Sequence, residues 1–221
     1  MKRSDLEKFS KELKRYLNKL WFIVWKDDSL KGWLISILFL FIVIKFMFFP
    51  TLNFVTGTTL PLAIVESCSM YHDGNLLSNF DAWWNKHESK YSEFQITQLN
   101  FKNFIFKKGF NKGDILFVIE VKPEKVKIGD VIIFNANKDI IHRVVKIDQQ
   151  NGQYTFSTMG DNVGIIQSFE QTIQEEQLVG KAVLKIAPSI GWSKLIMVDL
   201  LNKILGRGDL EYINAGFCDE N

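Results

Sequence analysis

The stretch GDVIIFNANKDIIHRVVKI, Gly129–Ile147, holds two short apolar runs, Val131–Phe134 and Ile141–Ile147. Both are rich in Val and Ile, and Asn, Lys and Asp separate them. Short β-branched runs divided by turn residues are strands. The same composition recurs outward in both directions, at Pro61–Val65, Ile115–Ile119, Tyr154–Thr158 and Leu178–Ile186. Strands that follow one another without long helices predict a mainly β fold, as a small barrel or paired sheets. Residues 72–111 interrupt the pattern with roughly forty polar and aromatic residues, FDAWWNKHESKYSEFQITQLNFKNFIFKKGF among them. An insertion of that length is usually functional or faces a partner. Its aromatic side chains are expected at a membrane interface or over a cleft, with a self-packed subdomain as the alternative. The last segment, Gly191–Gly206, spaces Trp192, Leu195, Ile196, Leu200, Leu201 and Ile204 as a helix does, and it carries too many charges to span a bilayer.

Before the strands lies GWLISILFLFIVIKFMFFP, Gly32–Pro50. A membrane span needs roughly 20 apolar residues, and this run is close to that length. Lys45 is its one charge and can snorkel to the headgroups. Residues 1–31 have a local charge of +4, with Leu6, Phe9, Leu13, Tyr16, Leu17 and Leu20 on one helical stripe. That is an amphipathic helix with a basic polar face. No Lys or Arg follows Lys45 until Lys86. The excess of positive charge before the span predicts a cytoplasmic N-terminus and an extracytoplasmic β domain. The expected organisation is a basic helix at 1–31 and an anchor at 32–50. A β domain at 51–188 carries the insertion, and a helix and tail fill 189–221.

The 221 residues are 47% hydrophobic and 24% charged, which excludes wholesale disorder. A net charge of +2 is too balanced for a nucleic-acid partner. Two cysteines, Cys68 and Cys218, are too few for a disulfide scaffold or a cysteine-ligated zinc site. Neither a metal nor another cofactor is expected.

Chemistry is sought first in ESCSMYH, Glu66–His72. A serine just after a strand can be a nucleophile if a base removes its proton and donors hold the resulting oxyanion. Only three histidines can supply the base. His72 is close in sequence to Ser69, His87 reads as a solvated surface residue, and His142 sits inside a strand.

Ser69-Met70, GDILF at Gly113–Phe117, GDVIIF at Gly129–Phe134, IIHRVV at Ile140–Val145 and TMGDN at Thr158–Asn162 follow one another in that order. Together they resemble the type I signal peptidase family. The histidine in IIHRVV is similar to that of its archaeal and endoplasmic-reticulum branch. The resemblance covers the anchor and most of Val65–Leu184. It implies a membrane-anchored, signal-peptidase-like β fold and a serine endopeptidase that cleaves signal peptides from secreted preproteins at the outer membrane face. Carried over residue by residue, Ser69 is the nucleophile, His142 the base and Asp161 the acid that orients it. Ser67 supplies an oxyanion hydroxyl. Leu62, Ala63, Ile64 and Val65, leading into the nucleophile, are expected to take an extended peptide as an added strand. Ile140 and Ile141 complete the substrate-binding set. Asp114 and Asp130, in the other Gly-Asp pairs, are expected to fix turns. The implied partners are signal peptides and the bilayer, with the protein-export channel a candidate neighbour.

Three departures stand out. Tyr71-His72-Asp73 and the insertion replace an early proline and a short connection. Gln167 occupies the place, six after Asp161, of a second acidic residue. Met159 replaces a usual lysine. Cys68 stands where glycine is usual and is read as a passive neighbour of Ser69. A membrane-anchored β module that binds peptides without cleaving them is the competing reading.

Overall fold

The computed structural model describes residues 3–72, 80–207, 210–214 and 218. It divides into two compact units, 1–55 and 56–221.

The first unit is helical. Helix α1, Arg3–Trp25, leaves Leu13, Leu17, Leu20 and Trp21 exposed. Ser29 caps helix α2, Leu30–Val43, accepting from the Gly32 amide at 3.1 Å. The Ser36 hydroxyl reaches the Val24 carbonyl at 2.8 Å and so ties α2 to α1. The expected anchor stops at Pro50, but the helix does not. One π-helical turn, Ile44–Phe48, leads into helix α3, Phe49–Thr56, with Pro50 inside it. Proline offers no N–H and its ring crowds the carbonyl four residues earlier. A π turn just ahead changes the hydrogen-bond register there and lets the helix continue. The result is a helix of 27 residues, Leu30–Thr56. At 1.5 Å per residue it reaches about 40 Å, enough to cross a hydrocarbon core. Among the described residues it is the one helix long and apolar enough to do so.

The second unit is built on one antiparallel sheet. Its strands are β1 (Leu62–Ile64), β2 (Ile115–Ile119), β3 (Val131–Asn135), β4 (Asp139–Gln150), β5 (Gln153–Met159), β6 (Ile173–Gln174) and β7 (Leu178–Ala187). Their order across the sheet is β1-β2-β7-β3-β4-β5-β6. The expected mainly β architecture is therefore present, as one seven-stranded sheet. Two apolar cores fill its faces. Ala63, Val65, Met70, Leu116, Val131 and Ile133 form one, and Ile132, Phe134, Val144, Phe156 and Ile173 the other. The Gly-Asp pairs behave as turn residues. Asp114 accepts from the Asn111 amide and Asp130 from the Lys127 amide, each at 2.9 Å.

The described part of the insertion carries helices α4, Phe80–Ser92, and α5, Gln98–Lys102; residues 73–79 lie outside the described set. Its aromatic residues face inward. Trp83, Trp84, Tyr91, Ile96 and Phe101 bury themselves against Val145 of β4 and Met159 of β5. The burial that makes this third core packs those rings against the sheet, as the self-packed alternative has it. His87 is buried with them, its Nδ1 2.8 Å from the Trp83 carbonyl, and is not the solvated residue expected.

Helix α6, Trp192–Ile204, follows β7 and buries Leu195 and Asp199. Helix α7, Glu211–Asn214, is held by Asp199, which accepts from the Ile213 amide at 2.7 Å. Cys218 is disulfide-bonded to Cys68, 150 residues earlier. Cys68 is thus half of a cross-link and not a passive thiol. Closing so long a loop removes much chain entropy from the unfolded state. Reduction, or Cys218→Ser, should lower unfolding stability by roughly 2–5 kcal/mol. Urea midpoints measured with and without reductant check this, and equal midpoints would show that the bond contributes nothing.

Candidate active site

Sequence places Ser69 five residues beyond the end of β1, and the fold supplies what surrounds it. Strand β4 brings His142, whose Nε2 lies 2.8 Å from Ser69 Oγ. Ser67 Oγ lies 3.1 Å from the same oxygen. Three of the expected residues therefore converge on one atom. His142 is 6% exposed, so its imidazole is largely screened from water.

The loop after β5 closes the far side. The amide of Asn162 donates to the Ser69 carbonyl at 2.7 Å, and its side-chain amide donates to the Cys68 carbonyl at 3.1 Å. The backbone approaches so closely that only glycine fits at position 160. A Cβ there would stand 2.7 Å from the Ser69 carbonyl oxygen and 3.0 Å from His142 Nε2. The glycine of TMGDN is thus explained by the close approach of the Ser69 backbone and the His142 ring.

Asp161 does not stand beside His142. Its Oδ1 accepts from Tyr91 Oη at 2.8 Å and Arg143 Nε at 2.9 Å. Its Oδ2 accepts from His72 Nε2 at 2.8 Å and Arg143 Nη2 at 2.6 Å. A carboxylate has about four lone-pair sites, and here all four are filled. No acceptor capacity is left for His142. Successive strand residues point to opposite faces. Hence His142 turns to Ser69 while its neighbour Arg143 turns to the insertion. Arg143 is fully buried, and its five N–H groups all find acceptors. Besides Asp161, these are the carbonyls of Ile105, Phe106 and Gly129, each at 3.0 Å.

The electrostatics follow from that packing. Burial pushes the Asp161 carboxyl up, but Arg143 and the His72 hydrogen bond outweigh it and hold the group far below the ordinary carboxylate range. Burial lowers His72 despite the Asp161 carboxylate, so its imidazole is neutral near pH 7. Burial, with the Asp161 charge beside it, raises the Tyr91 hydroxyl well above its usual range and keeps it a donor.

The acid behind His142 is Glu170. Its Oε1 meets His142 Nδ1 directly and also takes Thr158 Oγ1 at 3.3 Å. Its Oε2 accepts from the Gln167 amide at 3.0 Å. The residue is fully buried. Sequence reasoning missed it because it looked for an acid six residues after Asp161 and found Gln167. In fact Gln167 caps the short 3-10 turn Ser168–Glu170 and so swings Glu170 inward. The available signal was the glutamate three residues beyond a polar residue, the spacing of a capping box.

The remaining expected residues lie nearby but differ in exposure. β1 is an edge strand, with Leu62 and Ile64 half-buried. Ala63 and Val65 are buried in the core, so their side chains pack inward and offer no pocket wall. Ile140 and Ile141, on β4, are half-buried. Among the described residues no cluster of His, Cys, Asp and Glu could hold a metal ion.

No protein-family model matches the chain. Among curated proteins it is 29% identical over 99 residues to the signal peptidase complex catalytic subunit SEC11C of human, dog and mouse. The matched segment is 41% of this chain and 51% of each relative. The chain thus spans about half the length of the curated relatives it matches.

Proposed function

We propose that this chain, a homologue of the signal peptidase family over 99 residues, is a membrane-anchored serine endopeptidase that removes signal peptides from preproteins. The observation that carries the reading is the 2.8 Å contact of Ser69 Oγ with His142 Nε2, backed by Glu170 on the other ring nitrogen. In this reading the Ser69 hydroxyl donates to His142 Nε2. As Oγ attacks the scissile carbonyl carbon, His142 takes its proton. Glu170 accepts from Nδ1–H, fixes the tautomer and stabilises the imidazolium. The carbonyl oxygen gains negative charge between the Ser67 hydroxyl and the Ser69 amide. The imidazolium then gives its proton to the departing amine. Water, deprotonated by the same imidazole, releases the acyl group and restores Ser69.

The substrate is proposed to add as a strand along β1, next to Leu62 and Ile64, with Ile140 and Ile141 close to its side chains. A domain tethered to the bilayer meets membrane-borne precursors at raised local concentration. The excess of basic residues before the span supports an extracytoplasmic catalytic domain. The disulfide agrees with that side, because such bonds persist in oxidising compartments.

The test is cleavage of a precursor with small residues before the scissile bond. The full chain is reconstituted in liposomes and compared with Ser69→Ala. Cleavage by wild type alone supports the proposal, and equal cleavage or none by either protein overturns it. The oxyanion role of Ser67 has its own signature. A donor aimed at charge that develops in the transition state raises kcat and leaves ground-state binding alone. Ser67→Ala should lower kcat by about 10²–10³ with little change in KM. A variant that keeps kcat and loses thermal stability would make the hydroxyl a local backbone partner only.

A further inference from the structure

The roughly forty-residue insertion is long for a connection between two strands, and its contacts show what it holds. Helix α4 presents two adjacent polar residues to the loop after β5. Lys90 Nζ donates to the Asp161 carbonyl at 2.5 Å and the Val163 carbonyl at 3.0 Å. Tyr91 Oη donates to Asp161 Oδ1 at 2.8 Å. Asn162, between those anchored residues, donates to the carbonyls of Ser69 and Cys68. At the other end of the insertion the Phe110 amide donates to the Met70 carbonyl at 2.7 Å. His72 stacks on Trp83 at 3.7 Å between ring centres and donates to Asp161 from the nucleophile side. The insertion therefore touches the backbone directly at Met70, just after Ser69, and reaches the Cys68 and Ser69 carbonyls through Asn162 of the loop that Lys90 and Tyr91 hold.

We propose that the insertion is a buttress for the nucleophile loop, in which Lys90 and Tyr91 are positioning residues that act on Ser69 through Asp161–Asn162. This rests on the peptidase reading of Ser69 and His142. The physical reason is mechanical. The loop after β5 is irregular and must present Asn162 to two carbonyls at once. A helix whose buried face grips the carbonyls of residues 161 and 163 and a carboxylate oxygen of Asp161 fixes three points of that loop. Attack by Ser69 requires its oxygen to be placed within a fraction of an ångström, and displacements near 1 Å can cost on the order of 10² in rate.

Tyr91→Phe removes one oxygen from a fully buried ring and preserves its packing, so it is the cleaner variant. Lys90→Met keeps the apolar stem. Leu99→Ala, at an exposed insertion residue outside the network, is the control. Two measurements are made on the full chain, well below the thermal midpoint of each variant. The first is the steady-state kinetics of precursor cleavage. Both variants should lose about 10- to 100-fold in kcat with KM unchanged, and the control should match wild type. The second is amide hydrogen exchange, which needs no activity. Peptides spanning 67–70 and 160–163 should exchange faster in both variants, while β2 and β7 stay protected. Unchanged exchange in those peptides overturns the buttress whatever the kinetics show. A raised KM with normal kcat also overturns it and makes the insertion part of the substrate surface. Faster local exchange in a chain that shows no Ser69-dependent cleavage keeps the buttress and rejects the peptidase reading.

Discussion

Ser69→Ala and His142→Ala should each lower cleavage by about 10⁴-fold or more while the chain remains folded. In the proposed mechanism the two residues act as one unit, since Ser69 Oγ sits 2.8 Å from His142 Nε2. Without the hydroxyl no acyl intermediate forms. Without the imidazole the hydroxyl loses the base that lies 2.8 Å from it. Ser67 Oγ is 3.1 Å away but is itself a hydroxyl. The double variant should be little worse than either single one, because losses within such a unit are not additive. His142→Lys should not rescue activity. A lysine base needs a lowered pKa, and Glu170 at the back of this site would favour the charged ammonium. Initial rates on a precursor, in a preparation free of host peptidase, decide the matter. Near-normal turnover by either alanine variant removes Ser69 and His142 from the chemistry.

The elements were legible in the sequence where one physical signal dominated. The Val, Ile and Phe runs at 115–119, 131–134 and 178–186 coincide closely with β2, β3 and β7, since β-branched packing alone determines them. β6, at Ile173–Gln174, has two residues and no periodicity to read. Pro50 looked like a helix stop because the rule treats only the α register, and the π turn at Ile44–Phe48 escapes it. The aromatic insertion was ambiguous for a different reason. Trp and Phe favour a bilayer interface and a protein core alike, and only the position of Val145 and Met159 beneath them settles which. The site divides the same way. Ser69, Ser67 and His142 are marked by local motifs and do converge. The partner of His142 is not marked, because a side chain nine residues beyond Asp161 reaches it only after the β5 loop and the Ser168–Glu170 turn have formed. The Cys68–Cys218 bond spans 150 residues, beyond the reach of any local pattern.

Glu170→Gln and Asp161→Asn should fail in opposite ways, although each changes one buried carboxylate to its amide. Glu170 faces His142 Nδ1, so its charge matters most when the imidazole becomes imidazolium. An amide there can turn its NH₂ toward Nδ1 and stabilise the wrong tautomer, with the proton on Nε2 where Ser69 needs an acceptor. Such a change costs on the order of 10⁴ in kcat in sites of this geometry. The fold should survive, because the amide oxygen then takes the Oε2 place and still accepts from the Gln167 amide. Asp161 instead neutralises Arg143, which is fully buried. Removing one partner of a buried ion pair leaves an uncompensated charge and costs about 3–5 kcal/mol. The pH dependence carries the same sign. The folded Asp161 carboxyl lies below its unfolded value, so its stabilisation is full at neutral pH and is lost as acid protonates it. Asp161→Asn should therefore lower the urea midpoint at pH 7 and flatten its decline toward low pH, while Glu170→Gln should lower the midpoint less. Because Asn162 next door holds the Ser69 carbonyl, some loss of kcat is expected in Asp161→Asn as well, but smaller than in Glu170→Gln. The decisive comparison is kcat on the folded fraction against the urea midpoint for both variants. A stable but inactive Asp161→Asn beside an active Glu170→Gln would return the orienting role to Asp161, against the geometry of its four filled acceptor sites.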